Sequence, residues 1–306
     1  MNKFIKKTLL FCAPVLIFML IMELLLRNIP NDYSYKKNYL DQHSNEIEIL
    51  FLGSSHAYRA INPKFIRLNG FNAAHIAQSL DYDIEILKKY EKQMDKLKYI
   101  VVPIDYFSLY NRLETGVENW RIKNYNLYYG LNQSYNCKDN FEILNGKLLE
   151  NSKRIVKFYW RNKSDISCNT LGWGAQKQSQ DDENLLLSGK AAAQRHAKKD
   201  KSFFNENVAI VNEIIALAKA KNAKVIFYTS PAYKTYVSQL NKKQLQITYR
   251  TIQMITNSNA NVGYYDFLCD PSFMKEDFYD ADHLNEIGAE KFSKKMDSII
   301  SNYPKK

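Results

Sequence analysis

Five short runs of strand character, at residues 47–52, 71–74, 99–104, 224–229 and 262–267, alternate with longer stretches of helical periodicity at 81–97, 204–221, 240–256 and 284–301. Most of these runs are apolar along their length, as in strands covered on both faces. Parallel strands need a crossover connection, usually a helix, and the helical stretches supply it. The pattern predicts one α/β domain in three layers, a parallel sheet between two sets of helices. Pro231, just after Thr229-Ser230, ends the fourth run by fixing φ and removing an amide donor. From about 106 to 200 the rhythm fails, and Trp120, Trp160 and Trp173 stand among polar stretches. That segment is read as a central insertion, partly helical around 140–160, whose tryptophans either form a small core or stack on sugar rings. With 306 residues, one domain at 47–303 with an insertion fits better than two equal halves.

Residues 8–26 form an apolar run whose only obvious interruptions are Pro14 and Glu23. It is long enough to cross a bilayer. It follows Lys3, Lys6 and Lys7 and closes with Leu24-Leu25-Leu26-Arg27, without the small residues of a cleavage site. Residues 1–30 are therefore read as an uncleaved signal anchor, the alternatives being a cleaved signal or a buried helix. The lysines before the span predict a cytoplasmic N-terminus, with the rest of the chain periplasmic or extracellular. Residues 31–46 are polar and aperiodic, which suits a tether.

The formal net charge is +11, of which about +3 belongs to the anchor. A basic surface favours acidic partners, but no basic-aromatic motif of nucleic-acid recognition is present, so no nucleic-acid partner is expected. Cys137, Cys168 and Cys269 allow at most one disulfide, for which Cys137 with Cys168 is the candidate pair. Cys12 lacks the small residues that lipid attachment requires. No Cys/His cluster has zinc-ligand spacing, and neither a metal nor an organic cofactor is expected.

The first run ends in Gly53-Ser54-Ser55-His56, and Asp280-Ala281-Asp282-His283 precedes the last helix. In an open α/β sheet the ligand site lies beyond the carboxyl ends of the strands, where Ser55 falls. A serine hydroxyl needs a base to take its proton, an imidazole titrates near neutral pH, and a carboxylate three residues away can fix its tautomer. Ser55, His283 and Asp280 thus read as nucleophile, base and orienting acid. Amides at the start of the next helix could stabilise an oxyanion. The plain alternative is a helix-capping serine and a helix-start histidine. His56 is either a substrate contact or a structural histidine, and Asp282 reads as a turn or cap residue.

The block Ile49 to His56 resembles the first block of the SGNH (GDSL-like) serine hydrolase superfamily, with Ser54 in place of the usual aspartate. Tyr279-Asp280-Ala281-Asp282-His283-Leu284-Asn285, with Gly288-Ala289, resembles its last block. The resemblance covers 47–104 and 204–301 in outline, and it implies a flavodoxin-like parallel sheet of SGNH hydrolase type. It carries over Ser55, Asp280 and His283 as the catalytic triad. The second block's oxyanion glycine is missing from residues 72–79, so the Ala77 amide is the expected substitute, with Gln78, Ser54 and His56 as further oxyanion or substrate candidates. Where the third block has asparagine this chain has Asp105, whose carboxylate must point away from an oxyanion or serve another task. Anchor, tether and Gly-Ser-Ser together look closest to the branch that includes the D-alanyl-lipoteichoic acid transfer protein and the alginate O-acetylation proteins. That likeness implies acyl transfer or ester hydrolysis on an acylated glycan or envelope polymer outside the membrane, beside a multi-span membrane acyltransferase. The rival expectation is a non-catalytic glycan-binding or assembly subunit.

Overall fold

The computed structural model describes residues 2–303 except 132–133, 178–180 and 199. Strands β1 (Ile49–Phe51), β2 (Gly70–Asn72), β3 (Tyr99–Pro103), β4 (Lys224–Thr229) and β5 (Val262–Asp266) form one sheet in the order β2-β1-β3-β4-β5. Every neighbouring pair is parallel, with Phe51 opposite Asn72 and Val101, Val101 opposite Ile226, and Phe227 opposite Tyr264. The fold is the three-layer α/β/α arrangement that the alternation predicts. The chain steps outward from β1 to β2 and then returns to place β3 on the other side of β1. The crevice beyond the carboxyl ends of β1 and β3 is therefore the topological switch point.

Successive strand residues point to opposite faces. Ile49, Phe51, Val101, Ile226 and Tyr228 share one buried cluster with Phe292, Met296 and Ile300 of the terminal helix Glu286–Asn302. The alternate residues Leu50, Ile100, Val102, Val225 and Phe227 are equally buried, and helices Leu80–Tyr90 and Phe204–Ala220, which pack on each other, lie in the layer across the sheet. Two covered faces explain why these strands read as unbroken apolar runs. A short antiparallel pair, β6 (Phe278–Asp280) with β7 (His283–Leu284), precedes the terminal helix.

The chain divides into two compact units, Met1–Asn38 with Val117–Ser167, and Tyr39–Gly116 with Cys168–Lys306; the second carries the sheet. Among the described residues, two helices of a dozen residues or more lie where the sequence showed no periodicity. Asp32–His43 occupies most of the expected tether, opened by Asn31, whose Oδ1 accepts from the Tyr33 and Ser34 amides. Asp182–His196 lies in the stretch read as insertion. Cys12, Cys137 and Cys269 are free thiols, so the candidate Cys137–Cys168 bridge does not form among the described residues.

Candidate active site

The backbone leaves β1 through Gly53 at φ +117°, a conformation open essentially to glycine. A Cβ there would also lie 2.5 Å from the Pro103 ring. The Gly53 amide donates to Asp83 Oδ1 at 2.7 Å. Ser54, in extended backbone, caps the helix Ser55–Ala60, its Oγ accepting from the His56 amide at 3.3 Å. Ser55 is the first residue of that helix and stays partly exposed.

The tight β6–β7 turn brings Asp280 back beside His283. His283 Nδ1 lies 2.8 and 3.0 Å from the two Asp280 carboxylate oxygens, and its Nε2 lies 2.8 Å from Ser55 Oγ. Asn285 secures this geometry from below, since its Oδ1 accepts from the Ile287 and Gly288 amides and its Nδ2 donates to the Glu276 carbonyl. Gly288 lets the terminal helix approach the hairpin, because a Cβ there would sit 2.2 Å from the Asp277 carbonyl oxygen. In such a series the imidazole can take the hydroxyl proton while the carboxylate fixes the tautomer and steadies the imidazolium.

Behind this row lies a second, fully buried one. His56 Nδ1 is 2.8 Å from Asp105 Oδ2, and Asp105 Oδ1 accepts from the Ser230 amide at 2.8 Å. On its other side His56 Nε2 faces Asp282 Oδ2 at 3.5 Å, an ion pair without a hydrogen bond. Asp282 Oδ1 in turn lies 3.5 Å from His283 Nδ1, and the His56 ring meets the His283 ring edge to face at 5.0 Å. Burial alone would lower the His56 pKa, but the Asp105 and Asp282 carboxylates reverse that and raise it to about 10. Burial opposes ionisation of Asp105 and Asp282 as well. The facing imidazoles outweigh it and hold both carboxyls below the usual carboxylate range. His196 closes the group, its Nδ1 2.9 Å from the Tyr236 hydroxyl, and burial pushes its pKa down to about 3 against the pull of Asp282.

These placements revise several expectations for the rim of the site. Ser54 is occupied as a cap. His56 is 4 % exposed and enclosed by carboxylates, so it is a structural ion-pair partner with no face for substrate. Gln78 is buried with Nε2 donating to Asp83 Oδ1 at 2.6 Å, behind Gly53. Asp105 has the other task that its position demanded, as counter-ion of His56. Ala77 sits at φ +60°, the left-handed region, so the backbone keeps the conformation of a glycine position although the side chain does not. Sequence reasoning missed Asp83, His196 and the role of Asp282. Asp282 stood inside the motif, but only its burial among imidazoles distinguishes it from a turn residue.

His56, Asp282 and His283 bring possible ligand atoms within 4.8 Å of one another. They fit a metal poorly, since an imidazolium at His56 has no lone pair to give and both His283 nitrogens are engaged.

No protein-family model matches the chain, and no curated protein matches its sequence. Among solved structures, it is similar to a protein designated a platelet activating factor from Streptococcus pneumonia, at 11% identity and a TM-score of 0.46, over 95% of this chain and 98% of that one. It is also similar to a protein designated an acylhydrolase from Bacteroides fragilis, at 10% identity and a TM-score of 0.42, over 89% and 99%. A GDSL-like lipase from Bacteroides thetaiotaomicron matches at 10% identity and a TM-score of 0.41, over 89% and 97%. At these levels the activity named for each stays with that protein.

Proposed function

We propose that the protein is a membrane-anchored SGNH-type serine O-acyltransferase or esterase that adds or removes acyl groups on an extracytoplasmic polysaccharide or envelope polymer. The observation that carries this reading is the 2.8 Å contact of Ser55 Oγ with His283 Nε2, in series with the 2.8 Å contact of His283 Nδ1 with Asp280. In the proposed reaction Ser55 Oγ attacks the acyl carbonyl as its proton passes to His283 Nε2. The tetrahedral oxyanion collapses, and the leaving alkoxide takes that proton. The acyl-Ser55 ester is then attacked by a sugar hydroxyl or water, which gives its proton to His283, and Ser55 recovers it. Backbone amides of Ser55 and Ala77 are the proposed oxyanion donors. Lys3–Arg27, a helix long and apolar enough to cross a membrane, supports the anchored reading. A multi-span membrane acyltransferase is the proposed donor partner.

The full chain in detergent micelles should bind a fluorophosphonate probe covalently, and Ser55→Ala and His283→Ala should each abolish labelling. Absence of labelling in folded wild-type protein would instead support the assembly-subunit reading, which the engagement of Asp105 with His56, in place of an asparagine donor, favours.

A further inference from the structure

The helix Leu148–Tyr159 buries one edge of its apolar stripe against the N-terminal helix Asn2–Arg27 and leaves the remainder bare. Ile155 packs with Met22, Leu26 and Ile29, and the Tyr159 hydroxyl donates to the Leu25 carbonyl at 3.2 Å. Turning about the axis from Ile155, the stripe continues through Leu148, Tyr159, Val156 and Leu149 to Trp160. These five are between 41 and 76% exposed. Their spacing of one, three, four, seven and eight residues is one face of a helix. Lys153, next to Trp160 about the axis, and Lys157 beyond it flank the bare arc on the side away from Ile155, and Arg161 and Lys163 follow directly, both exposed.

The height at which this helix meets the N-terminal one is informative. Side chains from Phe4 to Ile21 are largely exposed, and burial begins at Met22. Residues 4–21 at about 1.5 Å each cover roughly 27 Å, close to the hydrocarbon thickness of a bilayer. The bare stripe thus begins where the exposed apolar segment ends. We propose that the helix Leu148–Tyr159, with Trp160, lies in the membrane interface beside the exit of the span, its apolar arc toward the acyl chains and its lysines toward the headgroups. This rests on the reading of Lys3–Arg27 as a membrane span. An arc of leucine and tryptophan bordered by lysines is the composition of an interfacial helix, and tryptophan concentrates at that depth. A covering protein would also hide the arc, but continuity with the exposed apolar segment favours lipid.

The test uses the full chain in lipid nanodiscs whose acyl chains carry bromine, which quenches tryptophan on contact. Wild-type emission should fall relative to unbrominated discs, and Trp160→Phe should lose that quenching while Trp120 and Trp173 continue to emit. Leu149→Glu, on the same arc, should shift the Trp160 emission to longer wavelength. Equal quenching in wild type and Trp160→Phe, or none in wild type, overturns the proposal and assigns the arc to a protein partner. Alkaline carbonate extraction from vesicles separates the two readings. Release of the wild-type chain overturns the span and this proposal together, whereas retention with unquenched Trp160 overturns this proposal alone.

Discussion

Asp105 and His56 form a buried ion pair whose pH dependence can be worked out from its own groups. His56 titrates near 10 in the folded chain, against about 6.5 unfolded. Its contribution is therefore complete below about pH 6.5 and is lost as pH rises through about 10. Asp105 is shifted downward, so its contribution is present above about pH 4 and lost as pH falls through its folded value. Asp105→Asn leaves a buried imidazolium with one carboxylate, and it should cost about 3–5 kcal/mol near pH 6. The gap from wild type should narrow toward pH 10 in urea unfolding. A gap independent of pH would mean that the pair is not charged. The meeting of Ser55, Asp280 and His283 could be anticipated from the sequence because each lies in a short local block. The Asp105 partnership could not, because it depends on β1 and β3 lying side by side, 49 residues apart in sequence.

Among the elements, the strand–turn–helix unit around Gly53 is tied to the helix Leu80–Tyr90 by Asp83, which accepts from the Gly53 amide and from Gln78. Burial pushes the Asp83 carboxyl up to about 7, and its two hydrogen bonds only partly offset this. A raised carboxyl favours the folded state below about pH 4, and that advantage is lost as pH rises through about 7. Asp83→Asn keeps an acceptor oxygen without the charge. It should match wild type near pH 4 and exceed it at pH 8 by up to about 4 kcal/mol in urea unfolding. Lower stability than wild type at pH 8 would sink the assignment. Strands β1 to β4 were legible because β-runs covered on both faces cannot hide their apolar character, and the half-exposed edge strand β5 showed itself through its valine and tyrosines. Asp182–His196 was not, because it buries Leu185, Gly189, Ala192 and Ala193, a helical spacing built from small residues. Gly189 is required there, as a Cβ would lie 2.7 Å from the Thr235 carbonyl carbon. Asp32–His43 hid its period differently, by burying Tyr33, Lys36 and Leu40, of which only leucine reads as core.

Across the whole molecule, a formal charge of +11 conceals how charges are spent inside Met1–Asn38 with Val117–Ser167. Glu142, 1% exposed, accepts from Lys123 Nζ at 2.8 Å, the Tyr128 hydroxyl at 2.7 Å and Arg154 Nη1 at 2.9 Å. Burial opposes its ionisation, but Lys123 and Arg154 hold its pKa below the usual carboxylate range. Glu23, which looked like a flaw in an apolar run, accepts from the Glu142 and Ile143 amides at 3.0 and 2.9 Å and from Arg27 at 2.5 Å. The sequence could show that Glu23 is out of place in a span. It could not show that segments more than 100 residues away supply its donors. Removing Glu142 strands the buried Lys123 ammonium, whereas Arg154 keeps its pair with Asp165, so Glu142→Ala should destabilise this unit by about 3–5 kcal/mol. Amide exchange resolves where the loss falls, because local opening reports the stability of each cooperative unit. Peptides from 117–167 should exchange faster in Glu142→Ala, while those covering β1, β3 and β4 keep wild-type protection. Equal acceleration in both sets would mean that the chain unfolds as one cooperative body, and the division into two units would then have no thermodynamic counterpart.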